Sequence, residues 1–127
     1  MAQMPDNPRK FEAGPDPFGR KWEVTLRWLQ NAISIRHSDS VDVKWELVAG
    51  DGTSMEKVVA LMHPYLLVVA GRLGRDLSDP WCIRLAGEHV RFILETWEDS
   101  EKTIVTPSIE QLEEYGRRIE PHPAAAR

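Results

Sequence analysis

The sequence predicts a small α+β domain: an N-terminal amphipathic helix, a β-hairpin, then three helices packed around the helix of residues 79–98. Three observations carry this. Apolar residues recur at the helical period through 79–98, and they alternate strictly with polar ones through 41–47. Between the first helical pattern and that alternation stands His37-Ser38-Asp39-Ser40, a run of turn-forming residues.

Taken in order, residues 1–18 contain Pro5, Pro8, Pro15 and Pro17, with Phe11 and Phe18 as the only large apolar anchors. Proline fixes φ and removes a donor, so this stretch is expected to be an extended or disordered arm. Residues 19–120 form the single globular domain, and 121–127 a frayed tail. Within 22–36, Trp22, Leu26, Leu29 and Ile33 make one helical row, flanked by Val24, Trp28, Ala32 and Ile35. Glu23, Arg27, Gln30, Asn31 and Ser34 share the opposite side. The alternation Val24, Leu26, Trp28 also suits a strand, but an amphipathic helix accounts for more of the residues.

Val41, Val43, Trp45 and Leu47 alternate with Asp42, Lys44 and Glu46, the pattern of a half-buried strand. Gly50-Asp51-Gly52 breaks it, and Glu56 to Met62 supplies the second strand of a hairpin. Thr103 to Val105 adds a short third strand. His63-Pro64 opens a helix that Gly74 ends, and because Tyr65 to Leu73 is apolar nearly all round, that helix is expected to be buried. In 79–98, Asp79 is placed as the cap and Pro80 in the first turn, with Arg84, Glu88, Arg91 and Glu95 on one narrow solvent-facing arc. Thr106-Pro107 begins the last helix, where Ile109, Leu112, Gly116 and Ile119 form a stripe and Gly116 lets a neighbour come close.

Composition narrows the function classes. A chain of 127 residues has room for one domain, and 42% hydrophobic residues with five tryptophans give it a core. A net charge of −4 lacks the cationic face that non-specific nucleic-acid binding needs. No apolar run approaches the ~20 residues of a membrane span, and the N-terminus lacks the order of a signal peptide. Cys82 stands alone, which rules out an internal disulfide and suits a reducing compartment. The expectation is a soluble cytoplasmic protein with neither nucleic acid nor membrane as partner and no cofactor.

His89, Cys82, Trp81 and His63 are the residues with chemistry to offer. His89 lies on the apolar side of its helix, where an imidazole needs a partner. Cys82 is seven residues earlier, about 10 Å along the axis, so the two cannot chelate one metal ion from a single helix. A first-turn thiol is favoured as a thiolate by the helix dipole, but Trp81 and Ile83 beside it argue for burial. Core roles therefore outweigh catalytic ones. Gly50-Asp51-Gly52 lacks the lysine of a phosphate loop, and the acidic group Glu95, Glu98, Asp99 and Glu101 reads as a solvated surface.

What remains points to protein–protein interaction: an accessory subunit or a homo-oligomeric component without catalytic machinery. The candidate partner surface is the second hairpin strand, Val58, Val59, Ala60, Leu61 and Met62, because its apolar residues point to both faces of the sheet. The rival is a small-ligand-binding protein or enzyme whose pocket is bounded by His89, Cys82, Trp81 and His63.

Overall fold

A computed structural model describes residues 8–33 and 39–119. The elements run β1 (Lys10–Ala13), β2 (Trp22–Ile33), β3 (Asp39–Ala49), β4 (Ser54–Met62), α1 (His63–Leu73), α2 (Asp79–Thr96), β5 (Ile104–Val105) and α3 (Ile109–Ile119). The strands form one five-stranded sheet in the order β1-β2-β3-β4-β5. The first four are successive antiparallel neighbours; β5 pairs parallel with β4, and α1 and α2 make the crossover that a parallel pair requires.

The α+β class stands, but the N-terminal helix does not. Residues 22–33 are a strand, and every helix lies C-terminal to the four-stranded meander. The reason is a bulge. Trp22, Val24 and Leu26 pair with Ala49, Leu47 and Trp45; the register then shifts by one residue between Leu26 and Trp28. Beyond the shift, Leu29 pairs with Val43 and Asn31 with Val41. A bulge moves the inward positions from 22, 24, 26 to 29, which turns a period of two into the spacing 22, 26, 29 of a helical row. Pairing along all of β3 decided the conformation.

The hairpin of β3 and β4 has the predicted loop and a register of Val41 opposite Leu61, Val43 opposite Val59 and Trp45 opposite Lys57. These residues, with Leu47, Trp22 and Val24, line the inner face of the sheet and are buried. The helices cover that face. A Cβ on Gly87 of α2 would lie 3.2 Å from the Phe11 ring and 3.6 Å from Trp45. Gly116 brings α3 closer still to α1: a Cβ there would sit 2.5 Å from Leu73.

Local caps follow the sequence with one exchange. Ser78, not Asp79, caps α2, its hydroxyl accepting from the Trp81 N–H at 3.3 Å, while Asp79 occupies the first turn. At the other end Trp97 takes a left-handed conformation (φ 66°). Gly74 does the same for α1 (φ 65°), and Arg75 N–H donates back to the Ala70 carbonyl at 3.0 Å.

The described part of the N-terminal arm is extended and joined to the domain. Phe11 meets Trp45 edge-on at 5.7 Å, and Phe18 meets Trp97 at 5.5 Å. Asp16 organises the turn between them. Its buried carboxylate accepts from the Phe18 and Arg20 N–H groups, the Arg20 Nε and the Trp22 indole, each at 2.9 Å. Burial works against its ionised form, but those hydrogen bonds outweigh it and hold the Asp16 pKa at about 2. The Arg20 guanidinium lies over Phe18, Trp22 and Trp97, which ties the start of the sheet to the end of α2. The expected frayed tail, 121–127, lies outside the described residues, as do Ser34 and Ile35 of the supposed helix and His37 and Ser38 of the turn run.

Candidate functional site

The four residues considered for a pocket are placed on the helices, and three of them are core. His89 is buried, stacked on Phe92 at 5.9 Å, with its Nδ1 hydrogen-bonded to the Tyr115 hydroxyl at 2.8 Å. Trp81 is buried beneath the Arg75 guanidinium, 4.8 Å from the ring centre. Cys82 is buried too, and burial, reinforced by Asp79, pushes its thiol up to about 12. That is the opposite of a nucleophile. His63 opens α1, half-buried, and no hydrogen bond or ring contact among the described residues links it to His89 or Cys82.

Burial also lowers the His89 pKa to about 4, with Asp99 opposing weakly. The folded state therefore binds a proton less readily than the unfolded chain, where histidine titrates near 6.5. The stability tied to His89 is complete above pH 6.5 and is lost as the pH falls through 6.5 toward 4. At ~1.4 kcal/mol per pKa unit the loss is about 3 kcal/mol. Urea midpoints at pH 7 and pH 4 should differ accordingly in the wild type. They should differ less in His89→Gln, which has no such proton to take up.

One cleft among the described residues lies elsewhere, between β1 and the outer sides of α2 and α3. Pro8, Phe11, Arg84, Glu88, Arg91 and Ile119 line it, and it encloses ≈ 360 Å³ including its open mouth. Arg91 stacks on Phe11 at 4.7 Å and donates to the Glu12 carbonyl at 3.2 Å. Glu88 pairs with Arg118 at 2.9 Å. These charges hold β1 and α3 onto α2, so Arg91 is a tether as well as a solvent-facing residue.

The candidate partner strand divides cleanly. Val59 and Leu61 point into the core and are fully buried, whereas Val58, Ala60 and Met62 emerge half-buried on the outer face. There the pairing lines up Trp28, Lys44, Val58 and Ile104 across four strands. Trp28 is 37% exposed and Ile104 64%. Lys44 lies 6.0 Å over the Trp28 ring and pairs with Glu56 at 3.2 Å.

Helix α1 differs from expectation. Leu66, Val69 and Ala70 are buried, but Tyr65, Leu67 and Val68 are 38%, 54% and 41% exposed. A helix apolar all round is normally covered all round. Gly71, next along the open side, has no heavy atom within 4 Å of where a Cβ would stand.

Lys57 is the residue that sequence reasoning passed over. It occupies an inward position of β4, is 1% exposed, and donates through Nζ to the carbonyls of Asp99 (3.2 Å), Ser100 (2.7 Å) and Lys102. Burial pushes its pKa down, while Glu101 and Asp99 pull it back. A signal was present: Lys57 shares its parity with Val59 and Leu61, and a lysine in that row must find acceptors inside.

No protein-family model, curated protein or solved structure matches the chain. Among the described residues no three His, Cys, Asp or Glu side chains are grouped to hold a metal ion, and no helix is long and apolar enough to cross a membrane.

Proposed function

We propose that this protein is a protein–protein interaction module, acting as an accessory subunit or a component of a homo-oligomer. The observation that supports the reading is the open side of α1. Tyr65, Leu67 and Val68 lie within one turn and stay partly exposed among the described residues, on a helix whose other side already fills the core. Leaving such a surface in water forgoes roughly 25 cal/mol for each Å² that a partner covers. The outer sheet face, with Trp28, Val58, Ala60, Met62 and Ile104, is a second apolar surface with mixed charges around it.

The buried state of His89, Cys82 and Trp81 supports core roles over the rival pocket. Two variants test the interaction reading. Leu67→Lys and Val68→Glu should change monomer stability by less than ~0.5 kcal/mol, because both side chains already face solvent. Each should weaken binding of a partner that docks on α1 at least tenfold, measured by the yield of the co-purifying partner. Wild-type levels of every assembly in both variants would count against α1 as a contact.

A further inference from the structure

From the edge of β2 beyond Leu26, unpaired among the described residues, we infer that it is a homodimerisation strand, joining antiparallel to the same edge of a second copy; the inference rests on the interaction reading above and names one partner. On one side β2 pairs with β3 throughout its length, from Trp22 opposite Ala49 to Ile33 opposite Asp39. On the other side β1 covers only Trp22 to Thr25, and a single further bond runs from Leu26 N–H to the Arg9 carbonyl at 2.7 Å. Pro8 and Arg9 form a turn, and Pro8 lies in the cleft against the helices. Beyond Leu26 no strand among the described residues pairs with this edge. Arg27, Trp28, Gln30 and Asn31 are exposed along it.

Backbone alternation says which groups are unpaired. Because Leu26 N–H points toward β1, Leu26 and Trp45 are a pair that does not exchange hydrogen bonds with β3. Past the bulge Leu29 and Asn31 stand in the equivalent phase, opposite Val43 and Val41. Their N–H and C=O groups therefore point outward from the edge, while Trp28 and Gln30 bond to β3.

The sequence of this edge suits a copy of itself. Exposed edges are usually guarded by lysine, proline or a short strand. From Trp28 to Ile33 there is no charge, no proline and no glycine, and the bulge lies before the run rather than within it. Antiparallel pairing centred on Gln30 sets Leu29 opposite Asn31, so that both outward-pointing sets of groups are satisfied at once. In the same register no charged residue meets its like. That register spans the open run without drawing on residues beyond Ile33. The product is a continuous sheet in which the outer apolar rows of the two copies flank the dyad.

The test exploits the dyad. Full-length protein should show a concentration-dependent monomer–dimer equilibrium in sedimentation analysis. Gln30→Lys and Gln30→Glu should each weaken self-association at least tenfold by facing like charges, and an equimolar mixture of the two should restore it. Asn31→Pro should abolish the dimer while leaving the melting temperature of dilute monomer within a few degrees of wild type, since the lost N–H is not bonded to β3. A wild type that stays monomeric at every concentration overturns the inference. So does a dimer that survives Asn31→Pro but is lost in Leu67→Lys; that outcome keeps the interaction reading and moves the contact to α1. Failure of the charge pair to rescue also overturns it.

Discussion

Val90→Asp should leave no cooperatively folded protein at room temperature. Val90 is on the inner side of α2 and fully buried, among the residues that join the helices to the sheet. A carboxylate there finds no partner. Its desolvation costs several kcal/mol, and the alternative, protonation with an unsatisfied hydroxyl, costs only somewhat less. A domain of this size has roughly 5–15 kcal/mol in total, and packing lost around the new group is added to the cost. Circular dichroism should show no sigmoidal melt. Phe92→Asp is the informative contrast: Phe92 is half-buried against His89, so a carboxylate in its place reaches water and the protein should remain folded, though weakened. A normal melt for Val90→Asp would mean that α2 turns a different side to the sheet.

Replacing Lys57 with methionine should cost about 2 kcal/mol, although it removes a buried charge. The stem of the side chain is retained, so the loss is confined to the ammonium group. Its acceptors are the carbonyls of Asp99, Ser100 and Lys102, in the loop that turns the chain from α2 into β5. The loop satisfies one of them itself, the Lys102 N–H donating to the Asp99 carbonyl at 3.0 Å, so the loss falls on the Ser100 and Lys102 carbonyls. Each carbonyl left without a donor costs on the order of 1 kcal/mol, which outweighs the relief from no longer burying a cation. Equilibrium denaturation should report the loss. Hydrogen exchange should place it in 97–105, with the Val58 N–H, which donates to Thr103 at 2.7 Å, among the amides that exchange faster. A Lys57→Met protein as stable as wild type would show that water serves those carbonyls as well as the ammonium does.

Much of the fold was legible because it rests on local chemistry. Strict alternation in Val41 to Leu47 can be satisfied only by a sheet with one wet face, and Gly50-Asp51-Gly52 only by a turn. Gly74 and the Ser78–Pro80 run mark helix ends through the backbone groups that every helix leaves unpaired, and those groups need no tertiary partner to declare themselves. The burial of Cys82 and Trp81 followed from their apolar neighbours. That His89 had to have a partner also followed, from the cost of an unpaired imidazole.

The rest depended on residues far apart in the chain. Nothing near Arg27 announces a bulge; it exists because β2 pairs with β3 on both sides of that position, and its phase shift is what makes a strand look like a helix. Tyr115 as the partner of His89, and the Asp99–Lys102 loop as the partner of Lys57, are 26 and 42–45 residues away in sequence. Composition marks α1 as apolar on all sides, but which side meets the core is decided by where α3 and the sheet leave room. Sequence by itself determined which residues prefer to leave water and which backbone stretches can bend. Only the tertiary structure decided which of those preferences were met within one chain, since a hydrophobic side chain or a strand edge carries no record of its partner.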